Sequence, residues 1–101
     1  MQILIKISTL NKIIDILVDT NKNVCMLGNK KINIDTKLFA TRLIAITSSW
    51  EEKMIDNSII DGEEYSVIVK ENTTQQKYVG KNKFPKNYYL FKNLISGVVN
   101  G

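Results

Sequence analysis

The fold of this chain is decided by residues 2–34, which read QILIKISTLNKIIDILVDTNKNVCMLGNKKINI. Apolar and polar residues alternate through most of this stretch, and a period of two is typical of strands with one buried face. In the first segment Ile3, Ile5 and Ile7 are predicted to share that face. Turn-forming letters, NK, TNKN and GN, separate four such segments. The stretch therefore predicts an antiparallel meander of four strands.

A helix is predicted next, from about residue 36 to about residue 54. Asp35 precedes it, and a short acidic side chain at that position accepts a bond from a free backbone N–H. Large apolar residues then recur at steps of three or four: Phe39, Leu43, Ile46, Trp50 and Met54. Because this spacing places them on one stripe of a helix, we expect the stripe, including Trp50, to be buried against the sheet.

The second half of the chain predicts a hairpin followed by a helix. Asp61-Gly62 suggests a turn into EYSVIVK, and KYVG suggests the short return strand. Pro85 suits the first turn of a helix, where its missing N–H costs nothing, and Gly97 suits a left-handed end. At 100° per residue Tyr89 falls among polar residues, away from the apolar arc.

The predicted fold is α+β, with an antiparallel sheet of about five or six strands and two helices packed on one face. The order of elements is ββββαββα. Residues 1–101 are predicted to form one domain, because a chain of this length supports a single core.

The composition of the chain excludes several kinds of catalytic and metal site. The chain has no histidine, which excludes nucleophilic triads with an imidazole base. Cys25 is the one cysteine, so neither a disulfide framework nor a thiolate zinc site is available. No apolar run approaches the ~18 residues that span a bilayer. We expect a cytoplasmic protein with no cofactor, no metal and no membrane association.

An acidic group of residues is the one remaining basis for catalysis, since paired carboxylates serve glycosidases and magnesium-dependent nucleases. Its members are Glu51, Glu52, Asp56, Asp61, Glu63 and Glu64. They lie in a predicted connector rather than in a rigid concave scaffold. The interpretation is therefore a solvated linker, and the protein is predicted not to be an enzyme.

Charge is unevenly distributed along the chain, whose net charge is +4. Residues 51–64 carry one basic and six acidic groups, whereas residues 65–101 carry six lysines and one glutamate. Such segmentation steers charged partners. The candidate partner-binding residues are Tyr89, Lys81, Lys83, Lys86, Lys92, Glu63 and Glu64.

The predicted function is that of a non-enzymatic binding protein of the inhibitor, immunity or adaptor type, acting on an unknown protein partner through protein–protein contact. The alternative is a nucleic-acid-binding module that uses the basic surface of the C-terminal helix. In that hypothesis the lysines follow the phosphates of a single strand and Tyr89 stacks on a base. Frequent isoleucine, lysine and asparagine indicate AT-rich codons, which favours a bacterial or phage source.

A pattern in the second half resembles one seen in small uncharacterised bacterial α+β proteins. The residues that carry it are Trp50, Asp61, Gly62, Tyr65, Val67, Tyr78, Gly80, Asn82, Phe84, Pro85, Asn87, Tyr88, Leu94 and Ile95. The resemblance covers about half of the chain. It implies a shared fold, with no activity and no functional residues to transfer.

Overall fold

Seven strands and two helices form an α+β fold in the computed structural model, which describes residues 1–58 and 62–100. The strands are β1 (Gln2–Ser8), β2 (Ile13–Asp19), β3 (Val24–Leu27), β4 (Lys30–Ile32), β5 (Lys53–Ile55), β6 (Glu64–Glu71) and β7 (Thr74–Lys81). The helices are α1 (Thr36–Thr47) and α2 (Tyr88–Val99). The predicted turn at Asp61-Gly62 lies partly outside the described residues, because Asp61 is not among them.

The strands form one mixed sheet in the order β4-β3-β2-β1-β6-β7-β5. Consecutive strands of the N-terminal meander are antiparallel, as predicted, and β1 also pairs antiparallel with β6. The predicted sheet of five or six antiparallel strands is wrong in two respects. A seventh strand, β5, is present, and it pairs parallel with β7.

The extra strand arises because α1 ends at Thr47, well before the predicted end near residue 54. Hydroxyl side chains at this end bond to carbonyls of the preceding turn: Thr47 Oγ1 donates to Leu43 O at 3.0 Å, and Ser48 Oγ donates to Ala45 O at 2.9 Å. Such local bonds compete with helix continuation. The chain then turns back, which frees residues 53–55 to pair with β7.

One cluster of buried side chains joins the sheet to the helices. It contains Ile3, Ile5 and Ile7 of β1, as the alternating pattern predicts. Its helical members are Phe39, Ala40 and Leu43 of α1 and Phe91, Ile95 and Val98 of α2. Intervening side chains such as Leu4 and Lys6 are directed to the other face of the sheet, because neighbouring strand residues point in opposite directions. The sheet therefore has an inner face within this cluster and an outer face.

The C-terminal elements differ in their ends from the sequence prediction. Strand β7 begins at Thr74, three residues before the predicted return strand KYVG, so the β6–β7 hairpin turns through two residues, with Asn72 in the left-handed region at φ 52°. Helix α2 begins at Tyr88, and Pro85 lies before it and accepts a bond from the Tyr88 N–H. The predicted end at Gly97 is wrong, because the helix continues to Val99.

Candidate binding surfaces

The seven predicted partner-binding residues lie around the start of α2. Lys81 ends β7, Lys83 and Lys86 lie in the connection, and Tyr89 and Lys92 belong to α2. Tyr89 is 64% exposed, which agrees with its polar position on the helical wheel. Glu64 begins β6, and Glu63 immediately precedes it. The structure therefore brings Glu63 and Glu64 into contact with lysines of the basic C-terminal segment.

Glu63, just before β6, is joined to α2 through both of its carboxylate oxygens. The Tyr88 hydroxyl donates to Oε2 at 2.5 Å, and Lys92 Nζ donates to Oε1 at 2.7 Å. The Glu63 side chain is only 19% exposed, so this pairing is partly shielded from water. Burial, followed by the bond to Glu63, raises the pKa of Tyr88 far above its ordinary value. These bonds tie α2 to the residue that precedes β6.

A second pair joins Lys81 to Glu64 at 3.6 Å, with both side chains well exposed. An exposed pair of this kind contributes ~0–1 kcal/mol to stability. Because the two charges neutralise each other, Lys81 and Glu64 are less available to an external partner. Four of the seven predicted residues are thus already paired within the chain.

Lys83, Lys86 and Tyr89 remain for an external partner. Lys83 lies near Asp56: the Ser58 hydroxyl and N–H lower the pKa of the Asp56 carboxyl, and the Lys83 charge lowers it further. Lys86 borders an open depression of about 530 Å³ beside Trp50 and Phe84. The basic surface available to phosphate is therefore smaller than the sequence suggests.

The aromatic residues of this region belong mainly to the core. Trp50 contacts Tyr65, Tyr78 and Phe91 with ring centroids 5.3, 5.9 and 5.2 Å apart in edge-on geometry. Its Nε1 donates to Asn87 Oδ1 at 2.6 Å, and Asn87 Nδ2 donates to Ile46 O at 2.9 Å. The predicted burial of Trp50 is confirmed, although the residue lies after α1 and not on it.

The Tyr65 ring lies over Gly80, its partner residue on β7. A Cβ on Gly80 would stand 2.0 Å from Tyr65 Cε1, so only glycine leaves room for this ring. The Tyr65 hydroxyl is buried and has no hydrogen-bond partner among the described residues. Burial, and secondly the charge of Glu51, raise the pKa of this hydroxyl. The ring occupies the space that the missing side chain of Gly80 leaves, next to the Trp50 ring.

The outer face of the sheet carries an apolar row that sequence reasoning missed. Four residues on four adjacent strands are paired in register: Met26, Leu17, Leu4 and Ile68. The next residue at each end is a lysine, Lys31 on β4 and Lys77 on β7. We call these six residues the outer row. They run across six neighbouring strands.

The outer row borders a shallow depression of about 300 Å³, which Lys6, Asp15 and Ser66 also line. None of the four apolar members is fully buried, and Leu17 is 38% exposed. The available signal was the presence of Leu4 and Leu17 at positions where alternation calls for polar residues. Recognising a row required the register of four strands, which composition does not contain.

The described residues contain neither a metal-binding cluster nor a membrane-spanning helix. Within residues 1–58 and 62–100, no three of the histidine, cysteine, aspartate and glutamate side chains are grouped so as to hold a metal ion. Cys25 is buried, and burial raises the pKa of its thiol. Neither of the helices in the described ranges is long and apolar enough to cross a membrane.

No protein-family model, curated protein or solved structure matches this chain. The resemblance of its second half to small uncharacterised bacterial proteins remains a prediction.

Proposed function

We propose that this protein is a non-enzymatic binding protein that contacts a protein partner through the outer row. The observation that carries the proposal is the register of Met26, Leu17, Leu4 and Ile68 on a sheet face away from the buried cluster. Exposed apolar patches with a polar rim are typical of protein–protein interaction sites. These side chains are less buried than those of the inner face, so their burial contributes less to folding.

The charges around the row define the partner. A lysine terminates the row at each end, and Lys6 lies beside its centre opposite Asp15. With strands ~4.8 Å apart, Lys31 and Lys77 are about 24 Å apart across the sheet. The partner surface is an apolar ridge flanked by carboxylates at this spacing, because complementary charges steer encounter and fix register.

Protein contact fits this face better than nucleic acid does. Sheets that bind single strands present aromatic side chains on which bases stack. The outer row contains none, and the Trp50 ring contacts the rings of Tyr65 and Tyr78 within the core. Around α2, two of the four predicted lysines are paired with glutamates.

The test compares two lysine substitutions at equally exposed leucine and isoleucine positions. Leu17→Lys interrupts the outer row, whereas Ile44→Lys changes α1, where Ile44 is 40% exposed and Leu17 is 38% exposed. Each immobilised variant is used to capture partners from lysate of the cells that make the protein. The captured protein is then purified and its affinity measured by calorimetry.

We expect Leu17→Lys to weaken the purified complex by about tenfold or more, as for a central interface residue, and Ile44→Lys to leave it unchanged. Equal affinity of the Leu17→Lys and wild-type proteins for that partner would reject the outer row as the site. Fluorescence anisotropy with labelled single-stranded and duplex oligonucleotides at 50 and 200 mM salt tests the alternative. Micromolar, salt-dependent binding lost in Lys86→Ala and Tyr89→Ala would favour nucleic acid instead.

A further inference from the structure

A groove runs between α1 and α2, on a different surface from the outer row. It consists of two adjoining depressions of about 180 and 430 Å³, which share Arg42 and Leu94 in their walls. Leucines stand at both ends, with Leu38 44% exposed and Leu90 41% exposed. Apolar residues that line a concave surface in this way are typical of grooves that receive peptide side chains.

Arg42 provides the one positive charge at the centre of this groove. It is the only arginine among the 14 basic residues of the chain. Its guanidinium forms no ion pair or hydrogen bond with the side chains of residues 1–58 and 62–100. Asp35, at one end of the groove, already accepts a bond from the Leu38 N–H as the cap of α1. A guanidinium presents paired donors that match a carboxylate.

Gly97 is an independent observation that points to an occupant. It lies inside α2, where glycine is less favourable than alanine because it loses more backbone conformational entropy on folding. Its φ is not positive, and a Cβ there would meet nothing within 4 Å. Neither backbone conformation nor packing in the described chain requires a glycine. Gly97 lines the groove beside Leu94, so its missing side chain leaves room for close approach of another chain.

We propose that the groove between α1 and α2 binds an apolar peptide segment of a partner protein, with a carboxylate of that segment paired to Arg42. The backbone of the segment passes over Gly97, and its apolar side chains contact Leu38, Leu90 and Leu94. The groove shares no residue with the outer row, so the two proposals stand or fall separately.

The first experiment selects displayed random nonapeptides on the wild-type protein and on Arg42→Gln in parallel. We expect peptides enriched on the wild type to carry aspartate, glutamate or a free C-terminus among apolar residues. A fluorescein-labelled synthetic copy should bind Arg42→Gln about tenfold or more weakly, with Arg42→Lys between the two. Absence of enrichment over Arg42→Gln, or equal affinity for both proteins, would overturn the proposal.

The second experiment separates binding from stability at Gly97. Gly97→Ala should raise the melting temperature by about 2–8 °C, because alanine favours the helix. The same variant should bind the selected peptide about fivefold or more weakly, because its methyl group enters the groove. Unchanged peptide affinity in a folded Gly97→Ala protein would exclude the groove. Leu10→Ala, at a 75% exposed position outside both proposed sites, is the control, and it should leave peptide affinity unaltered.

Discussion

The inner and outer faces of the sheet contain similar residues with different surroundings. On β1, Ile3, Ile5 and Ile7 are nearly inaccessible, whereas Leu4 between them is only half-buried. Full burial of one such side chain contributes ~1.5–3 kcal/mol, and partial burial contributes a fraction of that. The inner face thus accounts for stability. The outer row contributes less to folding than its composition suggests, because its apolar side chains are only partly buried.

Among the variants that test this comparison, Trp50→Ala is expected to cause the largest loss of stability. Trp50 packs between Tyr65, Tyr78 and Phe91, and its loss also removes the bond to Asn87. The substitution should lower the free energy of unfolding by ~3–5 kcal/mol, measured by denaturant titration.

The variant compared with it on the outer face is Leu17→Ala. Because Leu17 is 38% exposed and opens no enclosed cavity, the cost should be ~1 kcal/mol or less. Similar losses in Trp50→Ala and Leu17→Ala would contradict the division into an inner and an outer face.

An intermediate effect is expected at Gly80, which faces the aromatic cluster. Gly80→Ala places a Cβ 2.0 Å from the Tyr65 ring, and the ring or strand must move. Overpacking of this kind costs ~1–3 kcal/mol. Thermal unfolding of Gly80→Ala should be compared with that of Val79→Ala, whose side chain faces outward. A Gly80→Ala protein as stable as wild type would show that Tyr65 does not lie on Gly80.

The smallest expected effect is a loss of stability at high pH that depends on the proton of Tyr88. Folding raises the pKa of Tyr88 above its ordinary value of 10.0, first by burial and then through Glu63. Below pH 10 both the folded and unfolded states keep the proton, so the contribution is fully present. Above pH 10 only the unfolded state releases it, and stability falls by at most ~1.4 kcal/mol per pH unit, reduced by solvent screening.

Denaturant titrations between pH 9 and pH 11 measure this slope. Tyr88→Phe should make the loss of stability above pH 10 shallower, because it removes one of the groups responsible. Tyr89→Phe is the control on the exposed side of α2 and should retain the wild-type slope. Equal slopes in the two variants would mean that Tyr88 does not keep its proton in the folded state.

Local patterns predicted much of the fold. The alternation of apolar and polar residues predicted β1, β2 and β3. Turn-forming residues predicted their connections, and Asp35 predicted the start of α1. These features depend on backbone preferences and on neighbours close in sequence. The same patterns misplaced the end of α1, because Trp50 and Met54 match helical spacing although Thr47, Ser48 and Ser49 favour a turn. Burial of Trp50 was predicted from its apolar spacing, and it holds for a different reason.

The candidate site was less accessible from the sequence. Exposure of Tyr89 followed from its polar helical arc, but the pairing of Glu63 with Lys92 joins residues far apart in the chain. The parallel pairing of β5 with β7 is non-local in the same way.

The sequence by itself determined the α+β class, the alternating strands and the absence of histidine chemistry. Only the tertiary structure decided which carboxylates neutralise which lysines, and which apolar residues form a continuous row. The physical reason is that strand register and helix placement bring together side chains from distant segments. The free energy of those contacts depends on the whole fold, so no single stretch of sequence specifies them.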